Sequence, residues 1–253
     1  MLDYHVHAVA HGEYEYTYEW ILRFLENARE RKITEIGFTE HDEYRAQVKD
    51  DVLSSLQGEF SDLIIRTGLE VDFIPGREQE IHTIINEKQY DYIIGSVHFI
   101  DQWPFDHPDF KEQFDEYDVD EVYKNYFMLV DKAVNSGFFD IVGHIDLVKI
   151  WGHRPSKHNA IYYVKPVLAS VKKMGMAIEI NSAGLRKPVK EIYPAQEILE
   201  TMYAMNIPIT LGSDAHHPTQ VGEGLEEACM LAKKVGYRKL VQFRRHIKKA
   251  ISV

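Results

Sequence analysis

Seven short apolar runs recur along the chain, at residues 2–7, 34–41, 62–73, 90–100, 139–147, 176–182 and 207–216, with helix-patterned stretches between most of them. Runs of this length rich in Val, Ile, Phe and Tyr read as strands buried on both faces. Alternation with helices makes consecutive strands parallel, because a parallel pair needs a long crossover. Seven such units in 253 residues predict a seven-stranded (β/α)7 barrel, TIM-barrel-like, spanning 1–253 as one domain. No internal repeat and no Pro/Gly/Ser linker interrupts the pattern. The intervening helices carry their own ends: Thr17 caps TYEWILRFLENARERK, and Gly137 closes VDEVYKNYFMLVDKAVNSG. AIYYVKPVLASVKKMG, with Pro166 expected near a helix start or at a kink, AQEILETMYAMN and LEEACMLAKK complete the set. The terminal KLVQFRRHIKKAI is read as a last helix, its cations solvated and Lys248 and Lys249 supporting its dipole.

Composition narrows the function. A net charge of −11 disfavours a nucleic-acid backbone as the main partner. The single cysteine, Cys229, reads as a core thiol in a helix, which implies no disulfide and a reducing compartment. No apolar run approaches the roughly 18 residues that span a bilayer, so a cytoplasmic protein is expected, with no membrane partner and no assignable oligomeric state.

The polar residues fall in one place. His5 and His7 end the first predicted strand and His41 the second. Glu70, His98 and His144 come late in the third, fourth and fifth, and Asp214 and His216 end the seventh. The C-terminal ends of barrel strands share one face, which carries the chemistry, so residues more than 200 positions apart converge on one mouth. Asp3, His5 and His7 alternate onto one side of their strand, and paired imidazoles beside a carboxylate suit a metal ion better than water. Asp214 and His216 repeat that two-residue spacing after Gly212 and Ser213, which leave room for close approach; His217 points elsewhere and reads as a loop residue. Each histidine alone is ordinary, and a buried Glu70 alone could pair with a cation. Only their joint placement argues for a site.

Cations and rim groups complete the pattern. Arg186 in SAGLRKP follows the sixth strand, where a guanidinium binds phosphate in bidentate fashion, and Lys187 and Arg154 are further candidates. Asp101, Trp103, Phe105 and Asp106 follow the fourth strand and place carboxylates and aromatics at the rim as further substrate-binding candidates.

HVH, the Glu of GLEVD, SVHF, GHIDL and SDAH together resemble the PHP (polymerase and histidinol phosphatase) superfamily, from residue 2 to about residue 220. SVHFIDQWPFD and EINSAGLRKPVKEIYP are similar to its stand-alone histidinol-phosphate phosphatase branch. The resemblance implies a distorted seven-stranded barrel and a trinuclear centre. In it His5, His7, Glu70 and Asp214 would hold one ion, and Glu70 would bridge to a second on His98 and His144. A third would take His41, His216 and His11, which stands closer to the HVH pair than in related sequences. Asp3 is expected to orient an imidazole. The donor mixture suits two to three Zn, Mn or Fe ions rather than Ca or Mg. The expected chemistry is hydrolysis of L-histidinol phosphate in histidine biosynthesis, by a metal-bridging hydroxide, with Glu70, Asp214 and Arg186 catalytic. Neither a P-loop nor an activated cysteine is present to support another route. A phosphodiesterase on nucleotides or nucleic-acid ends is the alternative. A non-catalytic metal staple is a third reading, and missing ligands would be its signature.

Overall fold

In the computed structural model, which describes residues 1–253, the seven predicted runs do become parallel strands. The barrel strands are β1 (Leu2–Val6), β2 (Glu35–Phe38), β3 (Ile64–Asp72) and β4 (Tyr92–Ser96). After a short β5–β6 hairpin (Phe99–Ile100 and Trp103–Pro104) come β7 (Ile141–Val142), β8 (Ala177–Asn181) and β9 (Ile209–Gly212). They hydrogen-bond in the order β1-β2-β3-β4-β7-β8-β9. Every residue of β1, β2, β4, β7, β8 and β9 is buried, as the apolar runs require of strands covered on both faces. The barrel closes nearly, not fully. Only a bridge between Val6 and Ala215 joins the first and last strands, with His7 N–H donating to Ala215 at 2.8 Å and Ala215 N–H to His5 at 3.3 Å. That seam runs through the HVH and SDAH segments.

Seven α-helices flank the sheet: α1 (Tyr18–Glu30), α2 (Asp50–Glu59), α3 (Glu78–Ile85), α4 (Val119–Ser136), α5 (Ala160–Met174), α6 (Gln196–Ala204) and α7 (Leu225–Val235). Thr17 caps α1 by accepting from Trp20 N–H, and Gly137 ends α4 at a left-handed φ of 76°. One hydrophobic cluster of 72 buried residues runs through barrel and helices.

Several expectations need correction. The run 90–100 is split, its last two residues joining the β5–β6 hairpin. The run 139–147 gives only the two-residue β7, so His144 sits in the loop beyond it. Of the two placements open to Pro166, a helix start or a kink, the start is excluded, since it lies inside α5. The terminal stretch is not a helix but a hairpin of β10 (Lys239–Arg244) and β11 (Ile247–Ser252). Its turn uses Arg245 and His246, both at positive φ (50° and 64°), as a two-residue turn matching strand twist demands. Arg245 N–H donates to the Asp91 carboxylate and His246 N–H to the Asp91 carbonyl, which compensates two unfavourable conformations. Lys248 does serve a helix terminus, but that of α5, by donating to Gly175 O.

Candidate metal centre

The mouth is built where the strands stop. β1 ends at Val6, leaving His5 inside the barrel and His7 just beyond it, both fully buried. The chain then turns sharply: Glu40 accepts from Ala8 N–H (2.6 Å) and Val9 N–H (3.2 Å), and Ala10 adopts φ 51°. This turn brings His11 back over the cluster, its ring 5.3 Å from that of His41 and 4.8 Å from that of His216. The short spacing after HVH therefore does not remove His11 from the mouth.

Glu70 is the hub, 1 % exposed late in β3. Its Oε2 faces His41 Nδ1 at 2.9 Å, His5 Nε2 at 3.3 Å and His7 Nε2 at 3.4 Å. Its Oε1 accepts from Ser96 Oγ at 2.6 Å and faces His144 Nε2 at 3.1 Å and His98 Nε2 at 3.7 Å. Asp214 Oδ1 lies 3.6 Å from His7 Nε2 and 3.5 Å from His216 Nδ1. Three groups of donors converge, each with its atoms within 4.8 Å of one another: His5, His7 and Asp214; His5, Glu70 and His144; His7, His41 and His216. All nine histidine and carboxylate candidates from the sequence thus meet at one end of the barrel.

A layer of carboxylates behind them fixes the rings. Glu179 Oε1 lies 2.8 Å from His5 Nδ1, which orients the ring with Nε2 toward Glu70. The other Glu179 oxygen accepts from His144 N–H at 3.1 Å and from Asn181 Nδ2 at 3.1 Å. Asp72 does the same for His98, with Oδ1 2.5 Å from Nδ1. Asp42 accepts from Asp72 N–H and pairs with Arg77 at 2.6 Å. Space is part of the design: a Cβ on Gly212 would stand 1.9 Å from Glu179 Oε1 and 2.6 Å from His5 Cβ. Sequence reasoning missed Glu179 and Asp72; the available signal was a lone acid in the apolar run AIEIN. It also misassigned Asp3. That carboxylate accepts from Ser213 N–H (2.8 Å), Ser213 Oγ (2.6 Å) and Gly222 N–H (2.8 Å), so it ties down the GSD turn and orients no ring.

The cluster is electrostatically incomplete. His5 Nε2, both His7 nitrogens, His41 Nε2, His144 Nδ1 and Glu70 Oε2 are buried with no hydrogen-bond partner. Burial, reinforced by His41 and His216, pushes the His7 imidazole well below its ordinary range, which keeps it neutral and ligand-ready. Burial likewise takes His216 down to about 4 despite Asp214. Glu70 and Asp214 resist their burial because the surrounding imidazoles, His5 first, hold both well below the usual carboxylate range. The imidazoles divide: burial lowers His7 and His216, whereas against their burial the facing carboxylates hold His5, His41 and His98 above the ordinary range. Buried imidazoles and ionised carboxylates of this kind are the donor set that divalent transition metals take, displacing protons as they bind.

The predicted cations are placed differently. Arg186 Nη2 donates to the carbonyls of Ser213 (2.7 Å) and Asp214 (3.0 Å), bracing a residue held at φ 54°. Its Nη1 is buried and has no hydrogen-bond partner. Arg154 pairs with Glu191 at 2.9 Å, and Lys187 is exposed on the His11 side, where its charge helps to lower the His11 imidazole. Asp101 and Trp103 line a separate cavity of about 440 Å³ with Phe110, Tyr117 and Glu121, and none of the cluster histidines contributes to it. His217 caps a short turn through Thr219, as a loop residue. No helix is long and apolar enough to cross a membrane.

Known proteins resemble this chain to different depths. The probable histidinol-phosphatase of Deinococcus radiodurans is 39 % identical over 203 residues, covering 80 % of this chain and 75 % of that protein. The histidinol-phosphatase of Bacillus subtilis is 29 % identical over 263 residues, 88 % and 96 % of the two chains. The crystal structure of the histidinol phosphate phosphatase from Lactococcus lactis, in complex with zinc, L-histidinol and phosphate, superposes with a TM-score of 0.81 over 98 % of both chains, at 23 % identity. That likeness shows the same barrel. A family model described as the PHP domain matches residues 3–183, most of the barrel and its donor set, and the chain belongs to that family.

Proposed function

We propose that this chain is a metal-dependent phosphomonoesterase that hydrolyses L-histidinol phosphate to L-histidinol and phosphate. One observation carries the metal chemistry: donors from the ends of separate strands meet in a buried mouth with their lone pairs unpartnered. The substrate follows from the relatives, which are named for this activity at up to 39 % identity.

His5, His7, Glu70 and Asp214 would hold one ion, Glu70 with His98 and His144 a second, and His41, His216 and His11 a third. Two to three Zn, Mn or Fe ions held there would lower the pKa of a bound water and offset charge on the phosphoryl oxygens. The chain's own residues do the rest. Glu179 and Asp72 orient the rings of His5 and His98, so their Nε2 atoms point inward without reorganisation. Arg186 offers its Nη1, which has no hydrogen-bond partner and only a 3.6 Å ion pair to the half-exposed Glu223, to a phosphoryl oxygen while Nη2 holds Asp214 in place. Arg154 and Lys187 add positive charge at the rim.

The test is phosphate release by metal-reconstituted protein from L-histidinol phosphate, from other small phosphomonoesters and from a phosphodiester. Preference for histidinol phosphate, abolished in His5→Ala and reduced in Arg186→Ala, is the expected result. Faster turnover of the diester would replace this reading with a phosphodiesterase.

A further inference from the structure

The donors at the mouth are not all held alike. His7 is fully buried, and His41 and His216 are partly buried, each offering a ring nitrogen within 4.8 Å of the others. His11 is exposed and lies on no strand, yet its ring stands 4.8 Å from that of His216 and 5.3 Å from that of His41. Burial does not place it. The path of residues 8–10 does, since four residues of extended chain beyond His7 would reach about 13 Å and carry residue 11 away from the mouth.

One side chain sets that path. Glu40 is 1 % exposed, and its two oxygens take the first two amides after His7: Oε1 accepts from Ala8 N–H at 2.6 Å and Oε2 from Val9 N–H at 3.2 Å. Hydrogen bonds to a carboxylate out of water are the strong kind. From the opposite side, Trp20 Nε1 donates to Ala8 O at 2.6 Å. With these groups fixed the chain reverses: Val9 O accepts from Gly12 N–H at 2.9 Å and from Glu13 N–H at 3.1 Å, and Ala10 takes φ 51°. A left-handed alanine persists only where its surroundings impose it. Glu40 is also tied to the hub, because its carbonyl accepts from Glu70 N–H at 3.1 Å beside the bridge between His41 and Glu70. Its main chain thus grips the strand that carries Glu70, and its carboxylate grips the turn that carries His11.

We propose that Glu40 is a positioning residue for the third ion: its carboxylate fixes the turn after HVH, and that turn supplies His11 as a ligand beside His41 and His216. The assignment rests on the metal-dependent reading above. Glu40 touches neither substrate nor metal, and acts through His11.

The experiment counts zinc per chain, and measures the affinity of each site by competition with a chelator, in wild type, Glu40→Gln, His11→Ala and the double variant. Wild type should hold three ions. Glu40→Gln and His11→Ala should each keep two and bind the third about 10- to 100-fold more weakly. The double variant should be no weaker than His11→Ala, because both changes act on one ligand. Trp20→Phe loosens the same turn from its other side and should weaken the third ion alone, which keeps the test open if Glu40→Gln does not fold. Equal weakening of all three ions, an unchanged third ion, or a fully additive double variant would overturn the assignment. So would wild type with only two ions. Wild type that holds three ions and releases no phosphate from L-histidinol phosphate would refute the phosphatase reading and leave this assignment standing.

Discussion

The two ends of the barrel handle buried polar groups in opposite ways. At the base, under the β10–β11 hairpin, nearly every group is paired. The Tyr4 hydroxyl donates to Glu35, Arg66 pairs with the same carboxylate at 2.6 Å, and Phe243 N–H donates to the Tyr4 oxygen at 3.0 Å. His246 meets Asp140 at 2.8 Å. At the mouth the count reverses: seven of the twelve buried side-chain polar atoms without partners belong to His5, His7, His41, Glu70, His144 and Arg186. A chain that satisfies its base this fully does not leave its mouth unsatisfied for lack of means. The difference marks which end is built for stability and which for a ligand.

Substitutions should separate the two ends. Glu70→Gln, at the hub of the mouth, should lower kcat/KM by about a thousandfold and reduce bound metal, leaving the fold intact by circular dichroism. Glu179→Gln touches no proposed metal, yet it frees the His5 ring. A loss of about 10- to 100-fold in activity or metal affinity is expected, readable by metal titration. At the base, Arg66→Met strands the buried Glu35 carboxylate and should cost about 3 kcal/mol in urea unfolding, with kcat of the folded fraction unchanged. A base substitution that altered metal content would erase the contrast.

The smallest effect is one of pH. Asp120, at the start of α4, accepts from Tyr163, from Ser156 N–H and from Lys157 N–H, pinning the loop before α5. These bonds outweigh its desolvation and hold the carboxyl well below its ordinary range. A carboxyl depressed in the folded state adds stability above its unfolded pKa, and that stability is lost as pH falls below about 4. The urea midpoint of Asp120→Asn should therefore vary less between pH 7 and pH 3.5 than that of wild type, without change in kcat at neutral pH.

The donor set was legible because His5, His7, His41, Glu70, His98, Asp214 and His216 each sit at or just past the end of an apolar run, where strand direction alone gathers them. The supporting carboxylates were not: Glu179 lies inside β8, and Asp72, although it ends β3, owes its role to the neighbouring strand that carries His98. Asp3 misled because alternation puts it on the His5 face, while its partners, Ser213 and Gly222, are more than 200 residues away. The terminal hairpin was hidden by turn chemistry: Arg245 and His246 adopt left-handed angles without Asn or Gly, held by Asp91 just before β4. Contacts of that kind leave no local pattern.

The central claim is that the unpaired donors at the mouth hold the metals that make the site work. The direct test is metal content per chain, measured together with phosphate release from L-histidinol phosphate before chelation, after it, and after reloading with Zn, Mn or Fe. The account predicts two to three ions per chain, loss of activity on chelation and recovery on reloading. Full activity in protein stripped of metal would contradict it.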